Sequence, residues 1–522
     1  MMKKHRLWGT VLAIALMMTS PLLGCSAPKQ ETAAPSAASE TKSGKELVVA
    51  RKVDAGNIDP HFISSTQTSN YVYGKVYEGL VMRDKNTQYQ PALATEWKQL
   101  DDITWEFKLR QGVTFHDGEP FTANAVKATF DRLLDKDTAS PRATVFSMVQ
   151  ETKVIDDATV HIVLKYPFAA LLSILDSSEG SIISPKAIKE LGKDLAKKAV
   201  GTGPYRFESW VQGQQMVLIR NDSYWGNAGE IEKVIYKSVP EDLIRVAMVE
   251  SGEAQVADQV PVTELERIEK SANLNLLRTE GYGVEYIGFN FQKKPFDDIR
   301  VRQAIASAIE KDSIISGVYN NVGKRANSTL STKVFGYNPD QKEFPYDLNH
   351  AKELLKQAGY ENGFTATIIT DERKERINLA EVLQSQLKGI GIDIKITTME
   401  YGAYLDTLAN GKHEMYIGGW GNATGDADYN QFNVFHSSAI GEIGNYSFYG
   451  NPETDKLIEE GRREKDQQKR KEIYAKAQAK ELEEVVLIPI RSISHLAITT
   501  KNTEGLWMNP VGFFIFNEVT VK

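Results

Sequence analysis

The segment Gly418-Gly419-Trp420-Gly421-Asn422-Ala423-Thr424-Gly425-Asp426-Ala427-Asp428-Tyr429 gathers a large flat ring, an amide, a hydroxyl and two carboxylates in a stretch that glycines leave free to bend. Such a set can pack on a flat group, hydrogen-bond polar atoms and neutralise a cation, which is binding chemistry. Arg373 and Arg376 follow a strand expected to end at Thr370, and either can hold a carboxylate through paired donors or simply face solvent. Ser64, Ser65 and Thr66, after the turn at Asp59-Pro60, add three hydroxyls. Asp426 and Asp428 carry a second reading, because an aspartate in a glycine-rich loop often caps a helix.

Catalytic patterns are missing. The sequence has no HExxH, no GxSxG and no phosphate-binding GxxxxGK followed by Ser or Thr. Gly201-Thr202-Gly203 is followed by Pro204, with Phe207 where a third glycine belongs, and reads as a structural turn. His61, His116, His161, His350, His413, His436 and His495 include no pair at metal-ligand spacing, and His116-Asp117-Gly118 reads as a turn. His436, soon after the glycine-rich segment, is the one histidine to weigh as a metal ligand. These readings favour a binding protein without a cofactor, with a secreted peptidase as the rival from another class.

The elements that must position the segment alternate. FTATIIT (364–370) is a strand, Asn378–Leu387 a helix with Leu379, Val382, Leu383 and Leu387 inward and Gly389 at its end, and Ile392, Ile394 and Ile396 a period-two strand. A helix at 401–408 and a strand at 413–420 follow. That β-α-β-α-β order predicts right-handed crossovers and a parallel sheet, whose ligands bind beyond the carboxyl ends of the strands. The first half is α+β: a strand through Ile103, Trp105, Phe107 and Leu109, a helix opened by Thr122, and a hairpin over 154–166. Trp105 is expected in a sheet core and Trp225 against a loop. Lys465–Glu484 is an amphipathic helix, Val485–Ile490 a strand that Pro489 makes an edge or crossing strand, and Arg462-Arg463-Glu464-Lys465-Asp466 a solvated helix face.

The amino-terminal end explains where such a protein works. Lys3, Lys4 and Arg6 precede an apolar run from Leu7 to Gly24 that Gly9, Ser20 and Pro21 interrupt, so residues 1–24 read as an export signal. Leu22-Leu23-Gly24-Cys25 resembles the bacterial lipobox, which implies lipidation of Cys25, the single cysteine of the chain. Residues 25–45 lack aromatic and large aliphatic side chains up to Lys45 and are expected to form a disordered tether. The formal charge of −7 gives no electrostatic footprint for nucleic acid. The length of the body exceeds one core and predicts two or three lobes.

Ordered segments then resemble a known family. They are Asn57-Ile58-Asp59-Pro60, Val76-Tyr77-Glu78-Gly79-Leu80, Pro91-Ala92-Leu93-Ala94, WEFKLRQGVTFHDGEPFTANAVKATFDRL, GTGPYRFESW, NDSYWG, FNFQKKPFDDIRVRQAIASAI and YDLNHAKELLKQAGY. Over residues 46–522 the chain resembles the bacterial extracellular solute-binding proteins, family 5, which serve peptide, dipeptide, glutathione and nickel ABC importers. The resemblance implies an α/β, two-lobed clamp of the periplasmic-binding-protein kind (type II, cluster C) with an extra α+β subdomain. By analogy lobe I comprises 46–79, 201–288 and 489–522, the subdomain 80–200 and lobe II 289–488, with crossings near Phe291 and Ile490.

It also implies roles. Short peptides, dipeptides or oligopeptides, or glutathione would be captured between the lobes by a monomer and delivered to a permease and its ATPases from outside the cytoplasm. In dipeptide binders of the family an aspartate shortly after the Gly-Trp pair holds the ligand amine; that place falls at Ala423 here, with carboxylates at Asp426 and Asp428 instead. AMVESGEAQ, GLWMNPVGFFIF and the segment after Gly419-Trp420 look most like the glutathione-binding branch. Trp420 would pack on the ligand backbone, Asn422 and Thr424 would hydrogen-bond it, and Asp426 or Asp428 would hold its amine. A nickel or metal-chelate binder, using His436, is the alternative within the family.

Overall fold

Burial of the period-two positions organises the second half as expected. The computed structural model describes residues 45–63, 65–441 and 444–522; the export segment, Cys25, the tether up to residue 44 and Ser64 lie outside them. Phe364–Asp371 and Ile392–Met399 pair in parallel along their full length, and Met415–Trp420 lies parallel on the other side of Phe364–Asp371. The helix Lys374–Lys388 between the first two buries Leu379, Ala380, Leu383 and Leu387. It starts before Asn378 because Arg376 is itself buried on the inner face. Ile287, Ile368, Ile392, Ile394 and Ile417 complete this core.

The sheet as a whole is mixed. Its order is Ile392–Met399, Phe364–Asp371, Met415–Trp420, Leu274–Phe289, Leu487–Thr500, Val256–Asp258, Glu46–Arg51, Lys233–Ser238, Gln215–Arg220 and Tyr205–Val211. Two strands make it continuous. Leu274–Glu280 pairs antiparallel with Ser494–Thr500, and Val284–Gly288 with Leu487–Ser492, with a register slip between Glu280 and Val284. The slip falls at Gly281-Tyr282-Gly283, and Phe291 and Ile490, where the crossings are expected, pack in the core of the second half. A Cβ on Gly283 would come within 2.9 Å of Ile493 Cδ1 and 3.3 Å of the Trp420 carbonyl oxygen, so the strands close on each other here without side-chain room.

Pro489 does not mark an edge. Its strand runs inside the sheet, and Pro489 stands opposite Tyr286 at a second register shift, where the missing N–H breaks no regular ladder. Beyond the break, Glu46–Arg51 pairs in parallel with Lys233–Ser238 and Val256–Asp258 over cores built on Leu47, Val49, Tyr77 and Tyr236 and on Val48, Val246 and Ile498.

A separate four-stranded antiparallel sheet, Ala94–Gln99, Thr104–Leu109, Thr159–Leu164 and Val149–Asp156, holds its own core with the helix Ala123–Leu134. Trp105 packs against that core, and Trp225 lies under the Arg110 guanidinium, 4.1 Å from ring centroid to Cζ. The Gly201–Gly203 turn is structural: His116 Nε2 lies 3.0 Å from the Gly203 carbonyl oxygen, and the His116 N–H donates to Gly201 O. Among the described residues no helix is long and apolar enough to cross a membrane.

Because Leu383 is fully buried between helix and sheet, Leu383→Ala is expected to cost about 2–5 kcal/mol. Urea unfolding would read this as a lower midpoint at unchanged slope.

Candidate functional site

The glycine-rich segment leaves the sheet where the long strands break. Trp420 ends Met415–Trp420 opposite Val284, and Gly419 stands opposite Glu285. Beyond it the chain turns on Asn422, which is buried. Asn422 Nδ2 donates to Asp426 O and Asn430 Oδ1, both at 2.7 Å, while Oδ1 accepts from the Thr424 and Gly425 N–H groups. Thr424 Oγ1 accepts from the Asp426 N–H. Through these bonds Asn422 and Thr424, the residues expected to bond a ligand, hold the loop in shape.

The two carboxylates are likewise engaged. Asp426 caps the short helix Ala427–Asn430, accepting from the Asp428 N–H, and both its oxygens take Arg470, from Nη1 at 2.7 Å and Nη2 at 2.6 Å. Asp428 Oδ1 lies 2.8 Å from Arg462 Nε. Burial pushes the Asp428 carboxyl up, against the pull of Arg462. Asp426 and Asp428, the residues expected to hold a ligand amine, are each a buried carboxylate paired with an arginine of a distant helix.

The arginines after Thr370 serve the same end. Arg376 is buried, donating from Nη1 to Asp371 Oδ2 at 2.8 Å and from Nε to Glu285 Oε1 at 3.1 Å. Burial alone would raise the Glu285 carboxyl, but Arg491 and Arg376 hold it down at about 2. Arg373 pairs with Asp371 at the surface, its side chain 53% exposed. Ser65 caps the short helix Thr66–Ser69, its Oγ accepting from the Thr68 N–H, and Thr66 is that helix's first residue.

Trp420 keeps an open valence. Its ring is half-buried against Tyr429, centroids 5.6 Å apart, and its indole N–H is buried with no hydrogen-bond partner among the described residues. His436 stacks on Phe432 at 4.7 Å, with Nδ1 against Ser438 Oγ and Nε2 3.5 Å from Glu459. One carboxylate neighbour does not make a metal site, and among the described residues no group of three His, Cys, Asp or Glu comes together. The reading of His436 as a metal anchor thus lacks co-ligands.

Two groups of residues near the loop were not singled out by sequence pattern. Ala423 lines a cavity of about 120 Å³ together with Arg83, Asp176, Tyr73, Tyr282 and Phe513, which come from distant stretches of chain. Gly425, at φ +66°, lets the loop press on this wall: a Cβ there would meet Tyr282 Cζ at 2.7 Å and Arg83 Nη1 at 2.8 Å. Arg462 is the second omission, since the run 462–466 was expected in solvent. Thr454, Ile458, Gly461 and Arg462 are the buried face of the helix Pro452–Arg463, and their helical spacing was the available signal.

Arg462 also reaches across to the four-stranded subdomain. Its guanidinium lies 3.7 Å from the Phe432 centroid and 5.3 Å from that of Phe168, and its carbonyl accepts the Ala169 N–H at 3.0 Å. Arg463 over Tyr166 and Lys465 paired with Asp102 extend the contact.

Comparison with known proteins gives this arrangement its context. Residues 88–442 match the profile of the bacterial extracellular solute-binding proteins, family 5 Middle. The chain is 31% identical over 489 residues to the glutathione-binding protein GsiB of Salmonella typhi, covering 92% of this chain and 95% of that one. It is similar in structure to the ABC transporter-associated periplasmic binding protein DppA from Helicobacter pylori in complex with peptide STSA, at TM-score 0.82 and 31% identity, covering 91% of this chain and 98% of that one. It is also similar to the oligopeptide-binding protein AppA from Bacillus subtilis in complex with a nonapeptide, at TM-score 0.80 and 26% identity, covering 91% and 99%.

Two outcomes test the geometry. Arg462→Ala removes both the Asp428 counter-charge and the contact with Phe168, so the dissociation rate of any ligand held under the closed subdomain should rise about tenfold with little change in association. Stopped-flow fluorescence separates the two rates. Glu481 is fully buried beneath the loop, accepting from Thr329 Oγ1 and Gln431 Nε2, and burial pushes its carboxyl up to about 8. The folded value exceeds the unfolded one of about 4.3. Its contribution to stability is therefore complete below pH 4.3 and is lost as pH rises through about 8. Melting temperatures from pH 5 to 9 should fall less steeply for Glu481→Gln than for the wild type.

Proposed function

The chain belongs to the bacterial extracellular solute-binding proteins, family 5, and on that premise we propose that it captures short peptides, glutathione among them, and delivers them to the permease of an ABC importer. It works outside the cytoplasm as a monomer, tethered to the membrane through lipidated Cys25. Lobe I, the subdomain over 80–200 and lobe II close around the ligand, the hinge lying at the break in the paired long strands.

The observation that carries this reading is the buried, unpartnered indole N–H of Trp420 beside a loop whose Asn422, Thr424, Asp426 and Asp428 side chains are all engaged. Leaving such a donor unpaired costs about 1–3 kcal/mol. A peptide carbonyl accepting from it recovers that cost and lays the ligand backbone along the ring. The rigid loop adds a second support, because a site already ordered before the ligand arrives loses little entropy on binding. Glutathione enters through the named relative at 31% identity, and longer peptides through the structural relatives.

Mass spectrometry of the natively purified chain should find a peptide bound, and calorimetric titration with glutathione and a mixed di- to pentapeptide pool should return heat. Trp420→Ala should weaken binding about tenfold, the worth of one buried hydrogen bond, without shifting the melting temperature by more than a few degrees. Unchanged affinity in that variant would remove the ring from the site, and a chain that neither carries nor binds any peptide would sink the capture role.

A further inference from the structure

The cavity beside Ala423 has a charge pattern that discriminates between peptides. Three carboxylates line it, Glu78, Asp84 and Asp176. Glu78 is saturated by Thr202 Oγ1 at 2.8 Å, Tyr224 OH at 2.7 Å and Trp225 Nε1 at 3.0 Å. Asp84 is bound into its own turn by the N–H groups of Asn86 and Gln88. Asp176 differs. Its side-chain contacts are long, Arg83 Nε at 3.4 Å and Tyr73 OH at 3.3 Å, the tyrosine giving its short bond to the Asp176 carbonyl.

Arg83 is the one cation among the described residues lining the cavity. Its Nη2 donates to Tyr89 OH at 2.7 Å, its guanidinium lies over the Tyr89 ring, and its Nη1 faces Tyr282 and the loop at Gly425. The wall therefore presents one positive and one negative group side by side, loosely paired, on the rim where the loop passes. Burial pushes the Asp176 carboxyl up to about 7, against the pull of Arg83.

We propose that Arg83 and Asp176 receive a free α-amino acid head group, the ammonium on the Asp176 carboxylate and the carboxylate on the Arg83 guanidinium. Both charges of that zwitterion sit on one carbon, matching two protein charges in contact with each other. An α-linked peptide cannot present them: its first residue has spent its carboxyl in the amide bond. A γ-glutamyl peptide can, because the chain continues from the side chain. The ligand class is thus γ-linked peptides, with glutathione as the available example, and this rests on the capture role proposed above. About 120 Å³ suits a head group and not a whole tripeptide, typical pockets for larger ligands being roughly 300–1,000 Å³. The remainder of the ligand leaves the cavity on the side that Ala423 lines.

The test is calorimetric titration of the purified chain with glutathione and with its α-linked isomer Glu-Cys-Gly, repeated on Asp176→Asn and Arg83→Met. Wild type should bind glutathione at least about tenfold tighter than the isomer, and each variant should lose that preference through weaker glutathione binding. Equal or tighter binding of the isomer by wild type overturns the head-group assignment and leaves peptide capture standing. So does binding of pool peptides with neither tripeptide. A variant that keeps the full preference overturns it as well, and where a variant fails to fold the wild-type comparison decides. Binding of no peptide at all fails the capture role itself and this assignment with it.

Discussion

The bidentate ion pair between Asp426 and Arg470 is what the ligand-side surface stands on. Asp426 caps the short helix after the loop, accepts nothing from solvent, and is matched oxygen for nitrogen by a guanidinium from a helix more than forty residues away in sequence. Taking two such charges out of water is costly, and removing one partner alone typically costs about 3–5 kcal/mol because the other is left buried. Everything between Trp420 and Asn430 is referenced to that pair, through Asn422 on one side and the Phe335–Asp426 bridge on the other.

The same logic extends under the sheet. Glu285 lies between Arg376 and Arg491, and Asp371 between Arg376 and Arg373. Glu285, Asp371, Asp426 and Asp428 each have an arginine partner in this half. Across the cleft the situation differs, since the contacts between Arg83 and Asp176 are long and both side chains border open space. The proposed recognition is thereby divided between a loop wall whose carboxylates are already paired and the Arg83–Asp176 pair on the other side.

Sequence patterning located the strands and helices of the 364–420 stretch, because their signals are local, whereas the long strand Leu274–Phe289 carried no pattern that set it apart. Period-two isoleucines at 392–396 and the stripe Leu379, Leu383, Leu387 are visible within one window. What the loop residues do was not visible, because Asp426 and Asp428 have their partners in Arg470 and Arg462, and no local pattern links residues that far apart. Arg462 looked solvated within a run of charges and is buried because its helix presents Ile458 and Gly461 on the same face. The cavity needed Arg83, Asp176 and Ala423 to meet from three separate stretches of chain, which only the folded topology supplies.

The slip between Glu280 and Val284 has a mechanical meaning. On either side of it the paired strands form continuous ladders, Leu274–Glu280 with its partner and Val284–Gly288 with its own, and such ladders resist shear and stretching far more than bending. On the hinge proposed above, the slip at Gly281-Tyr282-Gly283 is the joint between two stiff ladders, and closure about it is close to a single rotation. Tyr282 sits in that joint with its ring in the wall of the cavity beside Ala423. A hinge placed there would carry a piece of the proposed binding wall with it, so that occupancy and joint angle would be coupled with no intermediate chain of contacts.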